Sequence, residues 1–386
     1  MRVAHLADLH LGYRAYHRST PEGANVREAD VAAAFRAAVE RTAELQPELV
    51  LVAGDVFHSV RPSNTAIADA FRQFSVLRER LPGSPVVLIA GNHDSPRSAD
   101  TGNILTLFRE IPGVHVVCDR PERLHFPELR TSVFCIPHNA LARDPVEEGS
   151  EPLEPDVASR LNLLCLHGTV GGSVAEAKLR YVPEFGGATI DPDRIGVHRW
   201  DYVALGHYHL ATRLAPNMWY AGGIERTSNN IWMEADAPKG FLLFDTDLGV
   251  ADFQPLPGRP TVDVPAFSAA ALGAAEVDTR LRSAIEAIPG GVSGKLVRVV
   301  VTDLPRAVFR EMNHRRIREW KAEALHFHLD VRLPETRALA ARADGGPRRT
   351  LREEVREFLQ GWTPVATGVE SERLVFLGDH YLRDAG

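Results

Sequence analysis

Residues 86–94 read Val-Val-Leu-Ile-Ala-Gly-Asn-His-Asp, an aliphatic run that stops abruptly at polar residues. The same pattern occurs four more times in the first 210 residues, where the apolar runs are residues 3–7, 49–53, 163–166 and 202–205. Continuous apolar runs of this length indicate strands that are buried on both faces, which requires helices to cover the sheet.

Two segments between these runs have helical periodicity. Apolar side chains recur at helical spacing through residues 31–45, which Pro47 follows, and through residues 67–81, which Pro82 follows. The alternation of strand, helix and strand is typical of a layered α/β domain. Because ligands bind beyond the carboxyl ends of the strands in such folds, we expect a functional site where the five apolar runs end.

The composition of the 386 residues is that of an ordinary globular protein, with 44% hydrophobic and 25% charged residues. It excludes a disordered, collagen-like or coiled-coil chain and predicts two or three domains. Three cysteines without a Cys-x-x-Cys pair argue against a disulfide framework and a thiolate zinc site. No apolar stretch is long enough for a signal peptide or a membrane span, so we expect a cytoplasmic protein. The net charge of −7 argues against a simple basic clamp for nucleic acid but does not exclude nucleic acid.

Two breaks divide the chain into three predicted units. Residues 255–260 read Pro-Leu-Pro-Gly-Arg-Pro and predict a boundary between a first domain, residues 1–255, and a smaller α+β domain, residues 256–342. Within the second unit we predict strands at residues 261–264 and 296–302, and a helix that carries Val277, Leu281, Ile285 and Ile288 on one face. A Gly-Gly-Pro break opens the C-terminal segment, residues 343–386. Its predicted amphipathic helix has an apolar stripe of Leu351, Val355, Phe358, Leu359 and Trp362.

Seven polar residues follow the apolar runs, and together they can bind two metal ions. They are two carboxylates, one amide and four imidazoles: Asp8, His10, Asp55, Asn92, His167, His207 and His209. Mixed nitrogen and oxygen ligands without a thiolate suit manganese, iron or zinc. Seven ligands are too many for one catalytic ion with open positions, so we expect two ions with Asp55 as the bridge. Each residue alone is more simply a turn or a satisfied polar group, but five coincidences at five strand ends favour a metal site.

The motifs around these residues resemble the signature of the calcineurin-like metallophosphoesterases over about residues 1–245. The motifs are Asp8-x-His10, Gly54-Asp55, Gly91-Asn92-His93-Asp94, His167-Gly168 and Gly206-His207-x-His209. Residues 5–13, 54–58, 61–63 and 220–226 are more particularly similar to the SbcD family of DNA-repair nucleases. The resemblance implies a four-layer αββα phosphoesterase domain, a smaller capping domain, and a C-terminal segment that docks on an SbcC-type ATPase.

The resemblance also implies a role for each site residue. Two divalent ions, Mn(II) by preference, would be bound, one by Asp8, His10, Asp55 and His209, and the other by Asp55, Asn92, His167 and His207. His93 would not be a ligand but would protonate the leaving alkoxide, since an imidazole titrates near neutral pH. We expect Asp94 to orient His93 or to cap a helix, and His58 to contact the substrate or groups next to the ligands.

We therefore expect a two-metal phosphodiesterase that hydrolyses DNA in double-strand-break repair. It would be an exonuclease, with endonuclease activity as a second option, and would work with an SbcC-type ATPase as a homodimer in a larger complex. Two alternatives stay open: a phosphatase or phosphodiesterase for small nucleotides, and a non-catalytic repair scaffold.

A basic segment near the end of the second predicted domain is a candidate for DNA binding. Residues 305–352 contain 12 Lys and Arg against 6 Asp and Glu, with Trp320 interleaved among Arg315, Arg316 and Arg318. This pattern fits a face that contacts the DNA backbone or a solvated helix face equally well.

Overall fold

The computed structural model describes residues 1–96, 102–142, 152–172, 179, 188–334, 355, 358 and 359. The predicted C-terminal segment therefore lies outside the described residues, except for Val355, Phe358 and Leu359, which are helical. Within the described part of the chain, every helix is too short or too polar to cross a lipid bilayer.

The described residues form the following elements. The strands are β1 (Arg2–Leu6), β2 (Leu49–Val52), β3 (Val86–Ile89), β4 (Val114–Val117), β5 (Glu122–Phe126), β6 (Thr131–Ile136), β7 (Leu161–His167), β8 (Thr169–Val170), β9 (Thr189–Ile190), β10 (Tyr202–Gly206), β11 (Thr212–Ala215), β12 (Met218–Tyr220), β13 (Gly240–Asp245), β14 (Val250–Pro255), β15 (Thr261–Ser268), β16 (Leu296–Thr302) and β17 (His326–Val331). The α-helices are α1 (Val26–Leu45), α2 (Asn64–Arg80), α3 (His138–Ala142), α4 (Pro192–Ile195), α5 (Ala274–Glu286), α6 (Arg306–Glu311) and α7 (His314–Glu323). Short 3₁₀ turns cover Ile104–Glu110, Pro127–Leu129, Val197–Arg199 and Ile231–Glu234.

Two six-stranded sheets carry the five strands that the apolar runs predict. The first sheet has the order β14-β13-β1-β2-β3-β4, in which β1 to β4 are parallel and β13 and β14 are antiparallel. The second has the order β11-β12-β10-β7-β6-β5, with antiparallel strands at both edges. The predicted strands are β1, β2 and β3 of the first sheet and β7 and β10 of the second. Their carboxyl ends lie at one end of the two sheets.

The two sheets stack face to face, with helices on the outside. Alternate residues of a strand point to opposite faces. Val50 of β2 accordingly packs in one core with helices α1 and α2, while Leu49 packs in a second core with Leu163 and Tyr202 of the other sheet. A third core covers the far face of the second sheet, where α3 and α4 lie. This arrangement confirms the predicted α/β fold, with the two sheets as inner layers.

A smaller parallel sheet follows residue 260. Strands β15, β16 and β17 form this sheet, and its core includes Val277, Leu281 and Ile285 of α5, as predicted. Strand β15 is longer than the predicted residues 261–264, because an irregularity after Val264 lets pairing with β16 resume at Phe267. The domain limits at residues 255 and 342 stay predictions.

Helix α7 places Trp320 differently from the expectation for a nucleic-acid face. Trp320 is 5% exposed and packs in the core of the smaller sheet together with Ile317 and Phe327, while the guanidinium group of Arg316 lies 5.6 Å from the centre of its ring. Arg315 and Arg316 form ion pairs with Glu319 at 3.8 and 3.0 Å. This pairing offsets part of the positive charge and favours the solvated-face interpretation of α7.

Candidate metal centre

All seven predicted ligands lie at the carboxyl ends of β1, β2, β3, β7 and β10. Two compact clusters contain six of them, and the ligand atoms within each cluster all lie within 4.8 Å of one another. The first cluster is Asp8, His10 and His209, and the second is Asp55, His167 and His207. All six side chains are buried.

Asp55 belongs to the second cluster and also faces the first. Its Oδ2 atom is 3.7 Å from Nε2 of His10 in the first cluster and 3.4 Å from Nε2 of His167 in the second. The seventh residue, Asn92, joins the second cluster, with its Oδ1 atom 3.0 Å from both Nε2 of His167 and Nδ1 of His207. One carboxylate oxygen therefore faces both groups, as a bridging ligand would.

The distances between these atoms fit ligands that share an ion. Two ligand atoms bonded at about 2.1 Å and at a right angle to each other are about 3.0 Å apart. Nε2 of His10 is 3.1 Å from Nε2 of His209, and the contacts of Asn92 are equally short. Nδ1 of His167 lies 2.8 Å from the carbonyl oxygen of Ala53 and donates to it, so Nε2, which faces Oδ1 of Asn92, is the nitrogen that can bind an ion once it has lost its proton. A cation between these atoms would stabilise the arrangement.

The centre has an electrostatic potential that attracts positive charge. Burial alone would lower the pKa of His167, but the charge of Asp55 raises it to about 9. Burial would likewise raise the pKa of Asp55, but His167 draws it well below its usual range. In His207, burial and the neighbouring His167 lower the pKa to about 3. The carboxylates therefore favour the protonated form of the His167 imidazole, in a position where a metal ion can replace the proton.

The backbone at the strand ends is bent in an uncommon way. Asp8, His10, Asp55 and His207 have φ angles of 51°, 46°, 52° and 102°, in a region that residues other than glycine rarely adopt. Such strain clusters at functional sites, where the surrounding structure imposes it. Four of the seven predicted ligands are thus held in strained turns that aim their side chains at the centre.

Two glycines are required because other groups approach them closely. A Cβ atom on Gly91 would overlap the carboxylate of Asp55, and a Cβ atom on Gly206 would overlap the carbonyl oxygen of Ala53. Each glycine directly precedes a predicted ligand. The Gly-Asn and Gly-His pairs in the sequence therefore mark places where two strand ends touch across the centre.

His93 and His58 lie beside the first cluster. The ring centroid of His93 is 4.8 Å from that of His10, and Nδ1 of His93 lies 2.7 Å from the carbonyl oxygen of His58. Nδ1 of His58 is in turn 3.3 Å from Nδ1 of His10. His10, His58 and His93 therefore form a third group whose nitrogens lie within 4.8 Å of one another, and this group shares His10 with the first cluster.

The contacts of Asp94 differ from the expected ones. Its carboxylate accepts hydrogen bonds from the backbone N–H groups of Val56, Phe57 and Gly91, at 2.9 to 3.0 Å. Burial and the charge of Asp55 raise the pKa of Asp94 to about 7. Asp94 therefore ties together the loops after β2 and β3, and it is the carbonyl group of His58 that contacts Nδ1 of His93.

The structure adds three buried polar residues that the sequence reasoning missed. Glu234 and Lys239 lie behind His209, and the ring centroid of His138 is 6.3 Å from that of His167. A signal for His138 was present, because it follows the apolar strand β6 as the other site residues follow theirs. Glu234 and Lys239 carry no such signal, since charged residues in a loop normally indicate the surface.

Comparison with known proteins identifies the class of this fold and site. Residues 1–211, more than half of the chain, match the sequence model of a family described as calcineurin-like phosphoesterase. The chain belongs to this family.

The chain is also similar to curated archaeal proteins. It is 28% identical to the DNA double-strand break repair protein Mre11 of Methanococcus maripaludis over 213 residues. This aligned region covers 54% of this chain and 52% of the relative. It is 25% identical to the protein of the same name from Methanocaldococcus jannaschii over 266 residues, and this aligned region covers 66% of each chain. The chain thus spans about half to two thirds of the length of these relatives.

Proposed function

We propose that this chain is a two-metal phosphodiesterase of the SbcD type that hydrolyses DNA in double-strand-break repair. The observation that carries the proposal is the position of Oδ2 of Asp55, which lies 3.7 Å from Nε2 of His10 in one cluster and 3.4 Å from Nε2 of His167 in the other. The similar archaeal proteins, named for double-strand break repair, support DNA as the substrate. The enzyme acts in the cytoplasm as an exonuclease, with endonuclease activity as a second option.

Seven side chains of this chain would hold the ions, for which Mn(II) is the preferred metal. One position consists of Asp8, His10, Asp55 and His209, and the other of Asp55, Asn92, His167 and His207. When bound, the two ions supply Lewis-acid chemistry: they acidify water and neutralise charge on the phosphate oxygens.

The neighbouring histidines supply proton transfer and support. His93 donates a proton to the oxygen of the leaving nucleotide. Because its Nδ1 is held by the carbonyl of His58, the transferable proton is on Nε2. His58 steadies the ring of His10 through the contact between their Nδ1 atoms and would contact the substrate. Asp94 keeps the loops that carry Asp55 and Asn92 in register.

Metal dependence tests this function directly. Protein stripped of metal should be inactive on end-labelled linear duplex DNA and on a bis-aryl phosphodiester, because nothing then neutralises the developing charge. Mn(II) should restore cleavage, and a chelator should abolish it again. The assay measures the amount of product released over time. Full activity of the stripped protein would refute the two-metal proposal. Cleavage of the small diester and of nucleotides without cleavage of DNA would instead favour the small-nucleotide alternative.

The C-terminal helix is the proposed contact with an SbcC-type ATPase, in a larger complex that contains a homodimer of this chain. Phe358 exposes 67% of its surface, as expected for an apolar stripe that a partner covers. A chain that ends at Ala343 should keep its metal content and melting temperature but should no longer pull down the ATPase. A markedly lower melting temperature, or undiminished binding to the ATPase, would contradict this assignment.

A further inference from the structure

A buried ion pair stands directly behind one of the proposed ligands. Glu234 ends the 3₁₀ turn Ile231–Glu234, and Lys239 directly precedes β13. Both side chains are almost completely buried, and the ammonium group of Lys239 donates to Oε2 of Glu234. The pair therefore forms without solvent between the two charges.

The same two residues contact His209 on both its ring and its backbone. Oε1 of Glu234 is 3.7 Å from Nδ1 of His209, which is within ion-pair range but longer than a hydrogen bond. Nζ of Lys239 donates to the backbone carbonyl oxygen of His209 at 2.7 Å. Glu234 and Lys239, which contact each other, thus hold His209 at both its ring and its backbone and fix the direction of the ring.

The ring of His209 presents its other nitrogen to the metal centre. Nε2 is 3.1 Å from Nε2 of His10, while Nδ1 faces Glu234. A carboxylate behind the outer nitrogen of an imidazole favours the tautomer with the proton on that nitrogen, and it leaves the inner nitrogen as a ligand. Stability alone is a weak reason for two buried charges, because a buried ion pair scarcely repays the loss of hydration.

We propose that Glu234, held by Lys239, is a positioning residue that orients His209 and sets the affinity of the metal position formed with Asp8 and His10. The inference rests on the proposed metal centre but does not depend on DNA as the substrate. The loop before β13 would thus support the metal centre without supplying any of the seven ligands.

Calorimetric titration of metal-stripped protein with MnCl₂ tests this inference. Glu234→Gln keeps the shape of the side chain and removes its charge, so one of the two ions should bind about 10–100-fold more weakly than in the wild type. The second ion should change less, because the outer nitrogen of its ligand His167 is held by a different group, the carbonyl oxygen of Ala53.

Glu225→Gln is the matched control for the loss of a buried ion pair. Glu225 is buried and forms an ion pair with Arg27 at 3.3 Å, and its carboxylate also accepts from the backbone N–H groups of Arg226 and Arg259. Both variants should melt at a lower temperature than the wild type, since each removes the negative charge of a buried ion pair. The decrease should be smaller for Glu225→Gln, because Arg27 keeps its ion pair with Asp30 at 2.7 Å. Only Glu234→Gln should weaken the binding of Mn(II).

A double variant separates orientation of the ligand from general destabilisation. Glu234→Gln combined with Lys239→Met removes both charges and should recover much of the melting temperature, yet it should still bind the affected ion weakly. Wild-type affinity in Glu234→Gln or in the double variant would overturn the inference, as would an equal loss of affinity in Glu225→Gln. If the wild type itself bound no Mn(II), the proposed metal centre would fail and the inference with it.

Discussion

Replacing Asp55 with alanine should empty both metal positions and reduce phosphodiester cleavage by about a thousandfold or more. Oδ2 of this residue faces His10 on one side and His167 on the other, so both positions lose a ligand at once. Metal ions supply several kcal/mol of transition-state stabilisation, and each 1.36 kcal/mol corresponds to a factor of about ten in rate.

Metal content by mass spectrometry, measured beside the rate, tests this prediction. Asp55 also accepts a hydrogen bond from the backbone N–H of His93 at 2.8 Å, so the alanine variant disturbs the loop as well. Asp55→Asn keeps an acceptor for that hydrogen bond and should fold normally, but its neutral amide cannot bridge two cations well. Two equivalents of tightly bound metal in either variant would rule out the bridging role.

Replacing His93 with alanine should leave two metal ions bound and slow DNA cleavage by about 10²–10⁴-fold, the usual contribution of general acid catalysis. The large effect follows because a nucleotide leaves as a strongly basic alkoxide that needs a proton. The competing possibility is that His93 is itself a ligand, since it forms a group with His10 and His58. Loss of metal from the alanine variant would favour that possibility.

The leaving group distinguishes a proton donor from a structural residue. A bis-nitrophenyl phosphodiester releases a weakly basic phenolate that needs no proton, so His93→Ala should lose less than about tenfold in rate on this substrate. The comparison of the two substrates uses the same protein preparation and is independent of how much of it is folded. An equal loss on both substrates would contradict the role of His93 as a general acid.

Much of the fold could be predicted because its central strands are buried on both faces. The five apolar runs gave β1, β2, β3, β7 and β10, and the periodic segments gave α1 and α2. The pairing of β13 with β1 could not be predicted, since Ala4 pairs with Leu243 and no local pattern encodes so distant a contact. For Trp320, the three-residue spacing from Ile317 was a sign of burial that the neighbouring arginines obscured.

The predicted ligands and the residues behind them differ in how they appear in the sequence. Each predicted ligand closely follows an apolar run, so a polar residue at that position contrasts with its neighbours in the sequence. Glu234 and Lys239 stand in an irregular loop, where charged residues are the norm, and only the packing of the chain around them makes their burial visible. Groups that support a site from behind are therefore harder to find in a sequence than the site itself.

The predicted ligands come from both sheets, and this has a consequence for the order in which they are synthesised. Asp8, Asp55 and Asn92 leave the ribosome early, but His209 comes more than a hundred residues later. The first sheet also needs β13 and β14, which end at residue 255, to complete the side of β1 away from β2. A nascent or prematurely terminated chain that stops before residue 209 should thus lack part of the proposed metal centre and should not hydrolyse phosphodiesters.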